Sequence, residues 1–202
     1  MNKIILKGEV LNKPIYSHEV FKEIFYKFNL SCKRESGNID IIPCVISEVY
    51  INGIEEGKII ELACEIRTRN VPKDNERITL EINAFVMTEP IFCNSDEDIK
   101  NINEVNIEGF ICKKVIYRVT PLGREIADIL IASNRNYNKS DYIPCIAWGR
   151  NAKKAELIKP GSKVVVAGRL QSREYKKKIS EDEYEDKIAY EVSICSIEIR
   201  EE

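Results

Sequence analysis

In the stretch SNRNYNKSDYIPCIAWGR (133–150), the rings of Tyr137, Tyr142 and Trp148 are interleaved with the cations Arg135, Lys139 and Arg150. Rings set among fixed cations suit a flexible, base-bearing polyanion: guanidinium and ammonium groups take its phosphates, and each base stacked on a ring contributes about 1–3 kcal/mol. Tyr142 and Trp148 stand six residues apart, so on a strand they share a face with Pro144 and Ile146, while Ile143 and Cys145 point the other way. The stretch GRLQSREYKKK (168–178) is built similarly, with Arg169, Gln171, Arg173 and Tyr175 on one parity and Lys176, Lys177 and Lys178 extending the charge. A strand-end tryptophan is more often core, and a charge run is usually a solvated face. The common parity of Tyr142 and Trp148, and the Gly-Arg that follows them, favour a binding face.

Other chemistry has little to work with. The chain holds one histidine, His18, which removes most metal sites and acid/base pairs, and its seven cysteines are odd in number, dispersed and without a CxxC. SDEDIK (95–100) is the nearest approach to an acidic metal cluster, and it lies between two strand-rich regions. No catalytic residue, cofactor or metal is expected. The formal net charge is −2, but residues 101–202 carry 18 Lys+Arg against 16 Asp+Glu while residues 1–92 carry 12 against 14, so a polyanion is directed mildly toward the second half. No apolar run reaches the roughly 20 residues that span a bilayer, and the N-terminus lacks a secretory apolar core, so a cytoplasmic protein without membrane contact is expected.

These side chains need a scaffold, and the scaffold is repeated. Ile41-Ile42-Pro43-Cys44 returns as Tyr142-Ile143-Pro144-Cys145 and Gly8 as Gly109, both 101 positions on; EEGKIIELACEIRTR (55–69) matches KPGSKVVVAGRLQSR (159–173) at 104, and ITLEINAF (78–85) matches IAYEVSIC (188–195) at 110. Growing offsets mean longer connections between the same strands. Each copy contains five short β-branched runs with period-two alternation. After the third run of the second copy, NAKKAELIK (151–159) reads as a helix with Asn151 as N-cap and Pro160-Gly161 as its stop; residues 48–56 are a weaker helix in the first copy. Five strands with a helix between the third and fourth is the order of an OB-fold. The expected architecture is all-β, two tandem five-stranded Greek-key barrels, with boundaries 1–90, a linker at 91–102, and 103–202. Residues 176–187 are expected to form a charged hairpin loop, and Gly149, Gly161 and Gly168 to serve turns or bulges.

The ordered string N-R-x-x-x-x-S-D-Y-I-P-C-x-x-W-G-R, an Ala-containing helix, G-x-x-V-x-V-x-G-R-L-Q-S-R-x-Y and a terminal A-Y-E-V-S strand resembles the bacterial single-stranded DNA-binding protein family over residues 102–200. The resemblance implies base stacking by Trp148, Tyr142, Tyr137 and Tyr175 and phosphate contacts by Arg135, Arg150, Arg169 and Arg173. It further implies binding of single-stranded DNA without marked sequence preference, in replication, recombination or repair, with RNA left open, and a homodimer that brings four barrels together. Two departures stand out. The chain stops at SIEIREE, where housekeeping members continue into an acidic-tipped tail, which puts tail-mediated recruitment in question. The first copy has Ile41 for Tyr142, Ser47 for Trp148 and Val71 for Tyr175 while keeping Arg34, Arg67 and Arg69, as a weakened binder kept for assembly would. The alternative is a duplicated interaction module that binds proteins of a replication or primosome-type assembly.

Overall fold

Alternating apolar residues make strands here because their side chains bury on one side of a pleated ribbon only. In the computed structural model, which describes residues 1–73, 77–93, 101–136, 138–178 and 184–200, nearly every such run is a strand. The first half contributes β1 (Asn2–Val10), β2 (Ile15–Val20), β3 (Glu23–Lys33), β4 (Ile39–Ser47), β5 (Ile59–Lys73), β6 (Arg77–Val86) and β7 (Ile91–Cys93). The second contributes β8 (Ile102–Ile111), β9 (Ile116–Val119), β10 (Glu125–Arg135), β11 (Lys139–Trp148), the helix α1 (Arg150–Glu156), β12 (Lys163–Lys178) and β13 (Tyr184–Ile199). Within each half the strands run β2-β3-β4-β6-β5-β1 and β9-β10-β11-β13-β12-β8, and pairings β3–β1 and β8–β10 close the ring. Pairs β4–β6 and β11–β13 are parallel and the other pairs antiparallel. This is the OB-fold barrel, twice.

Closure requires two strands to approach without a side chain between them. A Cβ on Gly8 would lie 2.1 Å from the Ser31 carbonyl oxygen, and one on Gly109 would lie 2.3 Å from that of Ala132. Both glycines sit at the turn of the ring where the barrel shuts. Each barrel is filled by its inward residues, among them Ile4, Leu6, Phe28, Ile42 and Leu62 in one and Ile107, Ile131, Ile143, Val164 and Val166 in the other.

The barrels are joined edge to edge by an antiparallel β1–β8 pairing in which Ile4 faces Val105. These two residues are equivalents in the repeat, so a pseudo-twofold axis passes between them. Contacts within the two barrels repeat accordingly: in the first, the Asn2 amide donates to the Ile66 carbonyl (2.8 Å) and its Oδ1 accepts the Ile66 N–H (3.0 Å), as Asn103 does with Leu170 in the second at 2.7 and 2.9 Å.

Local expectations fare unevenly. The helix of the first copy is a single 3-10 turn, Glu48–Tyr50, capped by the Ser47 hydroxyl. Helix α1 starts at Arg150, two residues earlier than an Asn151 cap would set it, because Gly149 (φ 52°) makes the cap by backbone alone. Asn151 is therefore inside the helix, and its amide donates to the Cys195 carbonyl at 2.8 Å. The helix ends at Glu156, ahead of Pro160-Gly161, with Ala152 and Ala155 buried against the barrel. The segment expected as a linker begins with β7, which pairs with β5, and ends with the first residue of β8; residues 94–100 lie outside the described residues. Much of the expected 176–187 loop is also strand, since Lys176 pairs with Asp186 and β12 and β13 run on to Lys178 and from Tyr184. Gly168 stands beside a register shift in β12, as a bulge glycine does, and Gly161 has φ 86° in a turn. Among the described residues no helix is long and apolar enough to cross a membrane.

Candidate nucleic-acid interface

Strand β11 turns Ile143 and Cys145 into the core and leaves Tyr142 and Trp148 outside, 48% and 39% exposed; Tyr175 on β12 is 37% exposed. These rings are not core residues. Trp148 forms one wall of a cleft of about 510 Å³ whose floor is β12 and β13. Arg169, Gln171 and Arg173 line it from β12, Arg124 enters from the β9–β10 turn, and among the described residues no carboxylate lines it.

Hydrogen bonds hold this floor in place. Glu191 is shielded between Gln171 Nε2 (2.9 Å) and Arg173 Nε (3.5 Å) and so fixes both side chains. The Arg173 guanidinium lies 5.7 Å from the centre of the Tyr175 ring, a cation over an aromatic face. Arg169 reaches Gln171 Oε1 with Nη2 at 3.5 Å, while its Nε is buried with no hydrogen-bond partner. A buried donor without an acceptor costs about 1–3 kcal/mol.

The remaining wall comes from the other barrel. Arg34 lines the Trp148 cleft from the first half of the chain, whereas Arg135, grouped by sequence with Trp148, lines a cavity on the first barrel beside Arg67 and Arg69. The crossing follows from a pair of buried carboxylates at the pseudo-twofold junction. Asp40 binds Arg34 Nε (2.7 Å) and Nη2 and accepts the backbone N–H of Ser172 (2.8 Å), and the Ile41 N–H donates to Ser172 Oγ (3.0 Å). In mirror image Asp141 accepts the Thr68 N–H (2.7 Å) and Arg67 Nη1 (3.1 Å), with Arg135 Nε at 3.7 Å, and the Tyr142 N–H donates to Thr68 Oγ1 (2.9 Å). The hydrogen bonds to Asp40 push the Arg34 guanidinium further up from its ordinary pKa, so it stays cationic. The backbone of Tyr142, a second-barrel residue, is thus fixed by a first-barrel side chain.

Of the other expected contact residues, Arg150 opens α1 and is exposed, and Lys176 is exposed near the far end of β12. Neither borders the Trp148 cleft. Tyr137 and the side chain of Lys177 lie outside the described residues. Sequence reading missed Arg124, whose turn TPLGRE carries no aromatic neighbour. It placed Arg34 only as residual charge on the first copy. The repeat shows that Arg34 and Arg135 correspond, but not that they exchange barrels. On the first barrel Ile41 is exposed where Tyr142 would be, and Ser47 is buried and donates to Glu23 where Trp148 would be.

Comparison with known proteins bears on the second half most directly. The model of the single-strand binding protein family matches residues 102–197. Single-stranded DNA-binding protein A of Bacillus subtilis (strain 168) is 36% identical over 81 residues, 37% of this chain and 47% of that protein. The chain thus spans about half the length of that relative. Single-stranded DNA-binding protein B of the same organism is 32% identical over 80 residues, 36% of this chain and 71% of the relative. Among solved structures, the wild-type single-stranded DNA binding protein from Thermus aquaticus aligns over 100% of this chain and 94% of its own at 18% identity, with a TM-score of 0.74, a likeness of fold that takes in both barrels. With Trp148, Tyr142 and the arginine-lined strand β12 inside the matched region, and with most of a relative's length aligned at this identity, the chain belongs to the single-strand binding protein family.

Proposed function

We propose that the chain binds single-stranded DNA with little sequence preference, through the face of the second barrel. One observation carries the reading: an exposed tryptophan borders a cleft into which four arginines, Arg34, Arg124, Arg169 and Arg173, project with no carboxylate in the lining among the described residues. Long-range attraction gathers the strand, and stacking on Trp148, Tyr142 and Tyr175 then fixes it, because every base has a π-face and none is singled out. The relatives' names describe the same ligand. No step in this mechanism is catalytic.

The test is a titration with oligo-dT followed by fluorescence of Trp148, the single tryptophan of the chain. Quenching with sub-micromolar affinity is expected. Release of cations from a single strand gives about −0.7 in log K against log salt per phosphate neutralised, so four arginine contacts predict a slope of roughly −3. Arg124→Ala, at an exposed turn position, should make that slope shallower by about 0.7. Absence of quenching at low salt overturns the reading and leaves a protein-interaction module in its place.

The proposal extends to the barrels as units, residues 1–90 and 103–202, and to two chains associating so that four barrels come together in replication, recombination or repair. Sedimentation at micromolar concentration should give a dimer; a stable monomer removes the association.

A further inference from the structure

The first barrel has its own counterpart of the Trp148 cleft, a cavity of about 290 Å³. Arg67, Thr68 and Arg69 stand in it where Gln171, Ser172 and Arg173 stand in the other, and Arg135 enters it as Arg34 enters the other. The residue types on β4 suggest that stacking has been lost, since Ser47 and Ile41 have replaced the rings. Aromatic surface is nonetheless present, carried by different strands. His18 on β2 and Phe85 on β6 both line the cavity and both are half-buried. In the second barrel the Phe85 position is Cys195, so this ring has no counterpart there.

The rings form a continuous set. His18 stacks on Phe25 with centroids 5.0 Å apart at 13°, Phe25 meets Phe85 at 5.5 Å, and the Arg67 guanidinium lies 5.8 Å from the Phe85 centroid. Among the described residues four cations, Lys27, Arg67, Arg69 and Arg135, wall the cavity, and no carboxylate does. Among the described residues the carboxylates paired with these cations are three, Glu65, Glu81 and Asp141, one fewer than the cations. Arg135 Nε is buried and makes no hydrogen bond, as Arg169 Nε does in the other cleft. Burial, and then the charges of Arg69 and Lys27, hold the His18 pKa below its ordinary value, so at neutral pH the ring is an uncharged stacking surface. At about 290 Å³ the cavity lies near the roughly 300 Å³ lower end of small-ligand sites. That is room for one nucleotide.

We propose that this cavity is a second single-strand site, in which His18 and Phe85 serve as the stacking surface and Arg135, lent by the second barrel, takes a phosphate. The inference rests on the reading of the second barrel as a single-strand binder and adds a site that the residues on β4 conceal. Thr68 connects the two sites, because it lines this cavity and also receives the Tyr142 N–H.

The test is photo-crosslinking of the full chain to oligo-dT carrying 5-iododeoxyuridine, with adducts mapped to peptides while Trp148 quenching is followed in parallel. Adducts on His18 or Phe85, beside those on Tyr142 and Trp148, are expected. Phe85→Leu keeps an apolar side chain on β6, and His18→Leu changes a half-exposed position, so the two guard against a folding defect in either. Each should leave Trp148 quenching intact and reduce the nucleotides covered per chain at saturation by about half, since one barrel covers roughly 4–16 nucleotides. Adducts confined to the second barrel, with Trp148 quenched and coverage unchanged in both variants, overturn the second site and leave the proposed function standing. Absence of both quenching and adducts overturns the two together.

Discussion

Tyr142→Ala combined with Trp148→Ala is expected to weaken oligo-dT binding by at least about 30-fold, with the fold unchanged. The magnitude follows from two lost stacking contacts of about 1–3 kcal/mol each. Preservation of the fold follows from exposure: both rings stand on the outer parity of β11, and the residues that hold this strand to the core are Ile143 and Cys145, 1% and 3% exposed. A loss of binding with unchanged circular dichroism and thermal midpoint therefore reports on the interface alone. Quenching of Trp148 cannot be read in this variant, so anisotropy of a labelled oligonucleotide is the measurement. The salt slope should persist, because the arginines of β12 and the β9–β10 turn are untouched, which separates stacking from charge. Binding within three-fold of the wild type would mean that the strand does not cross β11.

What the sequence disclosed depended on how far each feature reaches along the chain. Period-two alternation is set by neighbours, so the strands, the shared face of Tyr142 and Trp148, and the inward turn of Ile143 and Cys145 were all readable. The duplication was readable because strands tolerate fewer changes than loops. Features that join distant segments were not. Asp40 and Asp141 stand directly before the two most similar strings, yet nothing near them in sequence says that each accepts a backbone N–H from the opposite barrel, 132 and 73 residues away. The exchange of Arg34 and Arg135 is a consequence of those contacts and was hidden with them. Caps failed for a different reason: Asn151 has the right chemistry for an N-cap, but Gly149 in a left-handed conformation starts the helix first, and the Asn amide finds the Cys195 carbonyl. The set of His18, Phe25 and Phe85 escaped notice because its rings come from three strands, β2, β3 and β6, and Phe85 lies 60 residues beyond Phe25.

Asp141→Ala is expected to cost about 3–5 kcal/mol of stability, the range seen when one member of a buried charge pair is removed. Asp141 is fully buried, so its loss strands the Thr68 N–H and leaves Arg67 and Arg135 facing each other without the carboxylate between them. For a domain whose total stability is of order 5–15 kcal/mol, that is a large share. Asp141→Asn keeps an oxygen for the Thr68 N–H while giving up the charge, and its cost should fall between those of wild type and alanine. Asp40→Ala should behave alike, because it removes the mirrored contacts to Ser172 and Arg34, and the two clusters have no residue in common. Urea unfolding of each variant measures this, and losses below about 1 kcal/mol would show that the carboxylates do not hold the barrels together. The functional consequence separates a latch from a mere core residue. The Tyr142 N–H is held by Thr68 Oγ1, and Thr68 is held by Asp141, so loosening this cluster moves a stacking ring without touching it. Asp141→Ala should therefore weaken oligonucleotide binding even at temperatures where it remains folded, whereas a core substitution such as Cys145→Ala, four residues further along the same strand and buried against the second barrel, should lower stability and leave affinity unchanged.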